Sequence, residues 1–411
     1  MPPTTRSEKL RTPRRAALAV LLAAWAAGAC AGSRTPQQAR AARARDAKGD
    51  VLVAAVWPWE AMKEVRYGQG VDMAVEEVNA AGGVLGRPLR IRREDDKGSV
   101  NEGRLIAERL GQDPEVMAVI GHLQSYVTVP AAAIYDLGGL VMLAPASTSQ
   151  ELTSKGYARI FRGIFTDRAV GQQMAEYAVG RGYRRVAIYY VRSQYGRDLA
   201  NAFEERATAA GATVVTRASY DPGQDLSDAS LEQVVREWKE MGLDCVFLAG
   251  EVPQAGALIA SIRHAGVTAP ILGGDAMSSP GLISVGGAAV EGTVVGASFS
   301  ADEPRPEVQR FTAAFQRRWG VQPDAGSALG YDAVRVLARA MQVAKTTDPD
   351  SVARALHTMP AFEGVTGPFA FNESGDLKSR HMVRIVVHGG RFAYADAATP
   401  ARVAAAAAPA P

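Results

Sequence analysis

The strongest constraint on this chain is a strand-then-helix alternation that runs through once and then starts again. Residues 51–56 form an unbroken apolar run, as a strand buried on both faces requires. Tyr67, Val71, Ala74, Val75 and Val78 follow at helical spacing, and Gly82-Gly83 stops that helix. The same reading predicts strands at 89–92, 116–120 and 140–143, with a helix through Leu105, Ile106 and Leu110. The second round predicts strands at 186–190, 213–216, 245–249, 271–272 and 293–297. Helices fall at about 195–210, 231–241 and 253–264 between them. Two longer helices, 306–319 and 325–344, and strand-like runs at 369–371 and 383–387 close the pattern. Alternation of this kind builds parallel sheets covered by helices, so the expected fold is α/β with two doubly wound lobes.

The ends read differently. Arg11, Arg14 and Arg15 precede a charge-free apolar run over residues 16–29. That run is shorter than the about 20 residues a bilayer-spanning helix needs and fits a signal-peptide core. It ends in Ala27-Gly28-Ala29-Cys30, small residues before a thiol, which resembles a bacterial lipoprotein signal with Cys30 as the lipidation site. An ordinary cleaved signal, with Cys30 incidental, is the other reading. Residues 31–49 are Ala-, Arg- and Gln-rich and read as a flexible tether, and 397–411 as a disordered tail.

Losing residues 1–30 removes five Lys/Arg and one Glu from totals of 46 and 43, leaving 41 basic and 42 acidic side chains. That balance carries no electrostatic footprint for nucleic acid. Cys245 is then the sole cysteine and lies in an apolar run, so no internal disulfide is expected. Gly-x-Ser-x-Gly, His-Glu-x-x-His, phosphate-loop and Cys-x-x-Cys motifs are all missing, and the five histidines lack metal-ligand spacing. Neither catalysis, a cofactor nor a metal is expected.

Ligands of open α/β sheets bind outside the carboxyl ends of the strands. The loop Gly121–Tyr126 follows one strand and places Ser125 near a helix start, where it can cap the helix or meet an anion. The next strand is followed by Ala144-Pro145-Ala146-Ser147-Thr148-Ser149, a small-residue loop of hydroxyls and amides that can wrap a carboxylate. The second unit offers Tyr195, Glu251 and Asp275 at strand ends. Asp275 can pair with a ligand ammonium or cap the next helix; Glu251 can be solvated, and Tyr195 can serve packing. Trp57 and Trp59 follow the first strand and either wall a ligand or pack between loops.

These residues carry a resemblance. The chain resembles the periplasmic branched-chain amino-acid-binding (Leu/Ile/Val-binding) family of ABC importers, which has the type I periplasmic binding protein fold. The resemblance spans about residues 50–394. It rests on Ala74-Val75-Glu76-Glu77-Val78-Asn79-Ala80-Ala81-Gly82-Gly83, Val119-Ile120-Gly121-His122-Leu123, Leu143-Ala144-Pro145-Ala146-Ser147-Thr148, Gln194-Tyr195-Gly196 and Gly364-Val365-Thr366-Gly367-Pro368. It implies that Ser125, Ala146 and Thr148, with Ser147 beside them, hold a ligand carboxylate. Asp275 would hold the ammonium and Tyr195 would cover the ligand. It also implies a three-segment hinge near Thr166, Ser300 and Val365. The first lobe would then comprise 50–166 with 301–365, and the second 167–300 with 366–396.

The implied function is extracytoplasmic: a lipid-anchored, monomeric protein that closes on an amino acid or related small polar solute and delivers it to an ABC permease. The alternative is a sensor of the same fold that signals to a regulator. Three positions depart from the family pattern. Trp57 and Trp59 replace a Gly- and Ser-rich turn, Glu251 stands about where many members carry an aromatic, and Gln124 replaces a cysteine. Glu251 and the tryptophans point to a larger or cationic ligand side group.

Overall fold

The computed structural model describes residues 1, 34–221, 229–378 and 381–395. The expected signal peptide, Cys30 and the tail 397–411 lie outside the described residues.

Described chain begins with helix α1 (Pro36–Asp46), capped by a reciprocal Thr35–Gln38 box. Of the flexible tether expected over 31–49, residues 36–46 are therefore helical instead, and 31–33 lie outside the described residues. Arg40 in α1 is fully buried and donates to five backbone carbonyls, so the helix is docked on the fold.

The first lobe then follows as β1 (Val51–Trp57), α2 (Tyr67–Ala80), β2 (Leu89–Asp95), α3 (Val100–Gln112), β3 (Val116–Gly121), α4 (Ser125–Leu137), β4 (Val141–Ala144) and β5 (Ile160–Arg162). Its five strands are parallel, in the order β2-β1-β3-β4-β5. The second lobe runs α5 (Asp167–Gly180), β6 (Arg185–Val191), α6 (Gln194–Ala209), β7 (Thr213–Tyr220), α7 (Ala229–Glu240), β8 (Cys245–Ala249), α8 (Gln254–His264), β9 (Ile271–Gly273), α9 (Pro280–Gly286) and β10 (Val294–Ala297).

The chain next forms α10 (Pro306–Trp319), α11 (Ala325–Ala344), α12 (Pro349–Thr358) and a hairpin of β11 (Phe362–Gly364) and β12 (Gly367–Phe369). It ends with β13 (Val383–His388) and β14 (Arg391–Tyr394). The second sheet has the order β14-β13-β10-β9-β8-β6-β7. It is parallel except at its β13–β14 edge, where both pairings are antiparallel.

Period-two side-chain alternation explains how each sheet holds two helical layers. In β1, Val51, Val53, Ala55 and Trp57 join one apolar core, while Ala54 and Val56 join the core on the opposite face. In β8, Val246 and Leu248 face one way, and Cys245, Phe247 and Ala249 the other. A one-residue slip would exchange these faces, so the register is strongly specified.

Helices α10, α11 and α12 contribute Phe311, Phe315, Val334, Leu337 and Leu356 to the β1 core. Close approach of α2 to α11 depends on glycine. A Cβ on Gly70 would collide with the Ser327 backbone, and one on Gly330 with the Tyr67 carbonyl. The run at 369–371, read as a strand after the hinge, also belongs here. Val365, Phe369 and Phe371 are buried in the β1 core and Leu377 packs against it, whereas Met382 lies in the second-lobe core. Residues 366–377 therefore sit on the first lobe, and the chain leaves it after Leu377 rather than at Val365. Apolar burial decides this, since alternation alone does not say which core a run joins.

Candidate functional site

The carboxyl ends of both sheets face a cleft of about 1170 Å³, part of it open to solvent. Trp57, Ser125, Ala146, Thr148, Tyr195, Glu251 and Asp275 all line it.

On the first lobe, β3 ends and the chain turns through Gln124 in extended conformation to open α4 at Ser125. Ser125 is thus the first helical residue rather than the cap. The backbone amides of Ser125 and Tyr126 are orphan donors of the first turn. The Ser125 hydroxyl receives hydrogen bonds from the Ser147 hydroxyl (3.1 Å) and the Ser149 amide (3.3 Å), which joins the two loops. Ala146 and Thr148 reach the cleft, but Ser147 is fully buried and works as a brace beneath Ser125.

The loop's shape comes from a residue that sequence reasoning missed. Arg162, at the end of β5, is completely buried. Its Nη1 donates to the carbonyls of Ser147 (3.0 Å) and Ser149 (2.6 Å). Nε reaches Asp376 (2.7 Å), and Nη2 the Thr153 hydroxyl (2.9 Å). A planar fork of donors is suited to fixing several acceptors at once. The three-residue strand that carries Arg162 is too short for periodicity to reveal. His122, buried below the other loop, is held between Asp96 Oδ2 (2.6 Å) and the Tyr135 hydroxyl (3.2 Å).

On the second lobe, Asp275 opens a single 3-10 turn after Gly273-Gly274. Tyr195 donates to Asp275 Oδ1 (3.2 Å) and accepts the Ala276 amide (3.2 Å). A Cβ on Gly274 would collide with Leu199 and the Tyr195 hydroxyl, so the glycine makes room for the tyrosine. Burial raises Asp275 to about 6, against the opposing pull of its hydrogen bonds. Asp167, at the start of α5, is buried with its amide on the Thr148 carbonyl (3.0 Å). Burial first, and then the Asp275 charge, push its carboxyl well above the usual range. Glu251 follows β8 and accepts the Ser193 hydroxyl (3.2 Å); burial raises its carboxyl too.

The two tryptophans part company. Trp57 edges the cleft while its ring stacks on Tyr67, with centroids 4.0 Å apart and planes at 7°. Trp59 does not line the cleft. Its indole N–H donates to the Glu94 carbonyl (3.0 Å), and the Arg93 guanidinium lies over its ring at 4.9 Å. Gln124, Tyr126, Ser193 and Gln194 also line the cleft, although the sequence assigned none of them a ligand contact. Among the described residues, no group of three or more His, Cys, Asp and Glu is placed to hold a metal, and no helix is long and apolar enough to cross a membrane.

Hydroxyls and amides on one lobe, facing a carboxylate and a phenol on the other across a hinge, define a two-lobed solute-binding protein. The periplasmic binding protein family model matches residues 59–388. Leu/Ile/Val-binding protein homolog 1 of Brucella suis is 30% identical over 313 residues, covering 75% of this chain and 82% of its own. The leucine-, isoleucine-, valine-, threonine- and alanine-binding protein of Pseudomonas aeruginosa is also 30% identical, over 312 residues and the same shares. An ABC transporter substrate-binding protein from Desulfitobacterium hafniense, solved in complex with Leu, is 35% identical with a TM-score of 0.76. That match covers 84% of this chain and 99% of the other. The chain belongs to the periplasmic binding protein family, with the type I fold that its sequence resembles.

Proposed function

We propose that this protein is the extracytoplasmic solute-binding component of an ABC importer and that it grips an amino acid, or a related small polar solute, by hinge closure. One observation carries the reading: a single cleft places Ser125, Ala146 and Thr148 opposite Asp275 and Tyr195. A zwitterion fits that polarity. Its carboxylate meets hydroxyls and first-turn amides at the start of α4, where the helix dipole also favours an anion. Its ammonium meets Asp275, and Tyr195 holds that carboxylate in place. Closing the lobes excludes water and strengthens each charged contact. The names of the relatives point to the same solute class. The leader sequence and Cys30 support export and a lipid anchor, with an ABC permease reading the closed form.

Mass spectrometry of small molecules released from the denatured protein, followed by titration calorimetry, tests this. An amino acid should be recovered unchanged. Asp275→Ala should weaken its binding by about 2–5 kcal/mol, the scale for stranding a buried charge. A loss below about tenfold would remove Asp275 from the ligand's contacts.

A further inference from the structure

The cleft holds more negative charge than the backbone of one amino acid neutralises. Among the described residues three carboxyl side chains line it, Glu251, Asp275 and Asp324, and no Lys, Arg or His does. Asp324 is already occupied. It caps α11 through the Ser327 amide (2.8 Å) and takes the amide (3.0 Å) and guanidinium (3.4 Å) of Arg66. Asp275 is committed to the ligand ammonium in the reading above. Glu251 is left over. Its side-chain donor is the neutral Ser193 hydroxyl, and it has no ion-pair partner among the described residues. Ser193 also caps α6 by accepting the Gly196 amide (3.1 Å), and its one proton serves a single Glu251 oxygen.

Glu251 belongs to the second lobe and lines the cleft together with Tyr126 of the first, and its charge is felt by the Tyr126 phenol as well as by Tyr195 and Asp275 on its own lobe. It is half-buried already, and closure dries it further. A desolvated carboxylate without a counter-charge opposes closure, whereas one that meets a cation favours it. The rest of the wall is apolar: Met62, Val65, Leu123, Val252 and Leu329 suit an aliphatic stem.

We propose that the cleft selects an α-amino acid whose side chain ends in an ammonium or guanidinium group, with Glu251 as the specificity-determining residue. This rests on the amino-acid reading above. Glu251 recognises the distal cation, while Asp275 keeps the α-ammonium.

Titration calorimetry at neutral pH on the mature protein tests it with lysine against norleucine and arginine against citrulline, pairs of similar shape and different charge. Lysine and arginine should each bind at least about tenfold tighter than their neutral partners. Glu251→Gln should shrink both ratios below about threefold. If norleucine, citrulline or leucine binds as tightly as the cationic amino acids, the charge selection is wrong and the amino-acid reading stands. Binding of none of the five overturns both.

Discussion

Gln194 and Ser149 join the two lobes across the cleft: Nε2 of Gln194 donates to the Ser149 hydroxyl at 3.2 Å. Gln194 is the first residue of α6 on the second lobe, and Ser149 sits in the first-lobe loop that Arg162 fixes. The bond exists only when the lobes approach, so it favours the closed form. A neutral, half-buried hydrogen bond contributes about 0.5–1.5 kcal/mol. Gln194→Ala should therefore weaken ligand binding by about three- to tenfold without lowering the melting temperature of the free protein, because only the open–closed balance changes. Calorimetry with the recovered ligand reads this. Unaltered affinity would show that the bond has no part in closure.

With Asp275 as the proposed partner of the ligand ammonium, binding should be sensitive to acid. Its carboxyl sits at about 6 in the free protein, and a ligand ammonium needs it ionised. Below pH 6 each binding event must expel a proton, so affinity should fall by up to about tenfold per pH unit and level off above about pH 7. Stability runs the other way. The folded value is raised above the ordinary 3.8, so its contribution is full below about pH 3.8 and lost as pH rises through about 6. Asp275→Asn should thus stabilise the free protein at pH 7.5 by about 1–3 kcal/mol and hardly at all at pH 4, while binding collapses. Melting curves at both pH values check the sign.

Much of this arrangement is legible in the residues, for reasons that also mark where legibility stops. Strands such as β1, β3 and β8 are buried on both faces and announce themselves as apolar runs. The Ser125 and Thr148 loops stand out because hydroxyl-rich segments directly follow those runs. Arg162 does not stand out. A lone arginine on a three-residue strand looks like surface, and only tertiary structure shows that it collects four partners. Helix α1 hides in the same way, since its Ala- and Arg-rich composition has no broad apolar face and its anchorage centres on the buried Arg40 guanidinium. The edge strand β14 and helix α12 went unseen, and Trp59 looked equivalent to Trp57 until Glu94 and Arg93 claimed it.

Arg40 clasps the first lobe from below. Its Nε donates to the Val116 carbonyl (2.7 Å) and Nη1 to Gly138 (3.0 Å). Nη2 serves Leu110 (3.4 Å), Gly111 (3.1 Å) and Asp113 (3.0 Å). These carbonyls belong to the C-terminal ends of α3 and α4 and the start of β3, where helix dipoles favour a cation. Burial lowers the guanidinium to about 10, partly offset by Asp113, so it remains charged at neutral pH. Arg40→Ala should cost about 2–4 kcal/mol by leaving several carbonyls unsatisfied. Arg40→Lys should recover little, since one ammonium cannot reproduce the fork. Urea unfolding measures both, and a loss below about 1 kcal/mol for the alanine variant would mean α1 is not a structural clasp.

Asp332 holds the turn between β11 and β12, close to the segments that connect the lobes. Buried in α11, it accepts the amides of Val365 (3.0 Å) and Thr366 (2.7 Å) and the Thr366 hydroxyl (2.8 Å). Arg305 grips the same turn from the other side through the carbonyls of Gly364 (3.1 Å) and Val365 (2.6 Å). Thr366 lines a small void with Gly163 and Ser298, near the first two connections, and with Leu377 and His381, which flank the third. All three groups facing Asp332 are donors, so an amide of equal shape fits poorly: Asp332→Asn turns an NH2 toward donors that need an acceptor. Both Asp332→Asn and Asp332→Ala should therefore destabilise by about 2–4 kcal/mol, the alanine change more, because buried donors are left without partners. Chemical denaturation gives the comparison. An asparagine variant that unfolds with the wild-type midpoint would show that shape alone, and not two acceptor oxygens, fixes this turn.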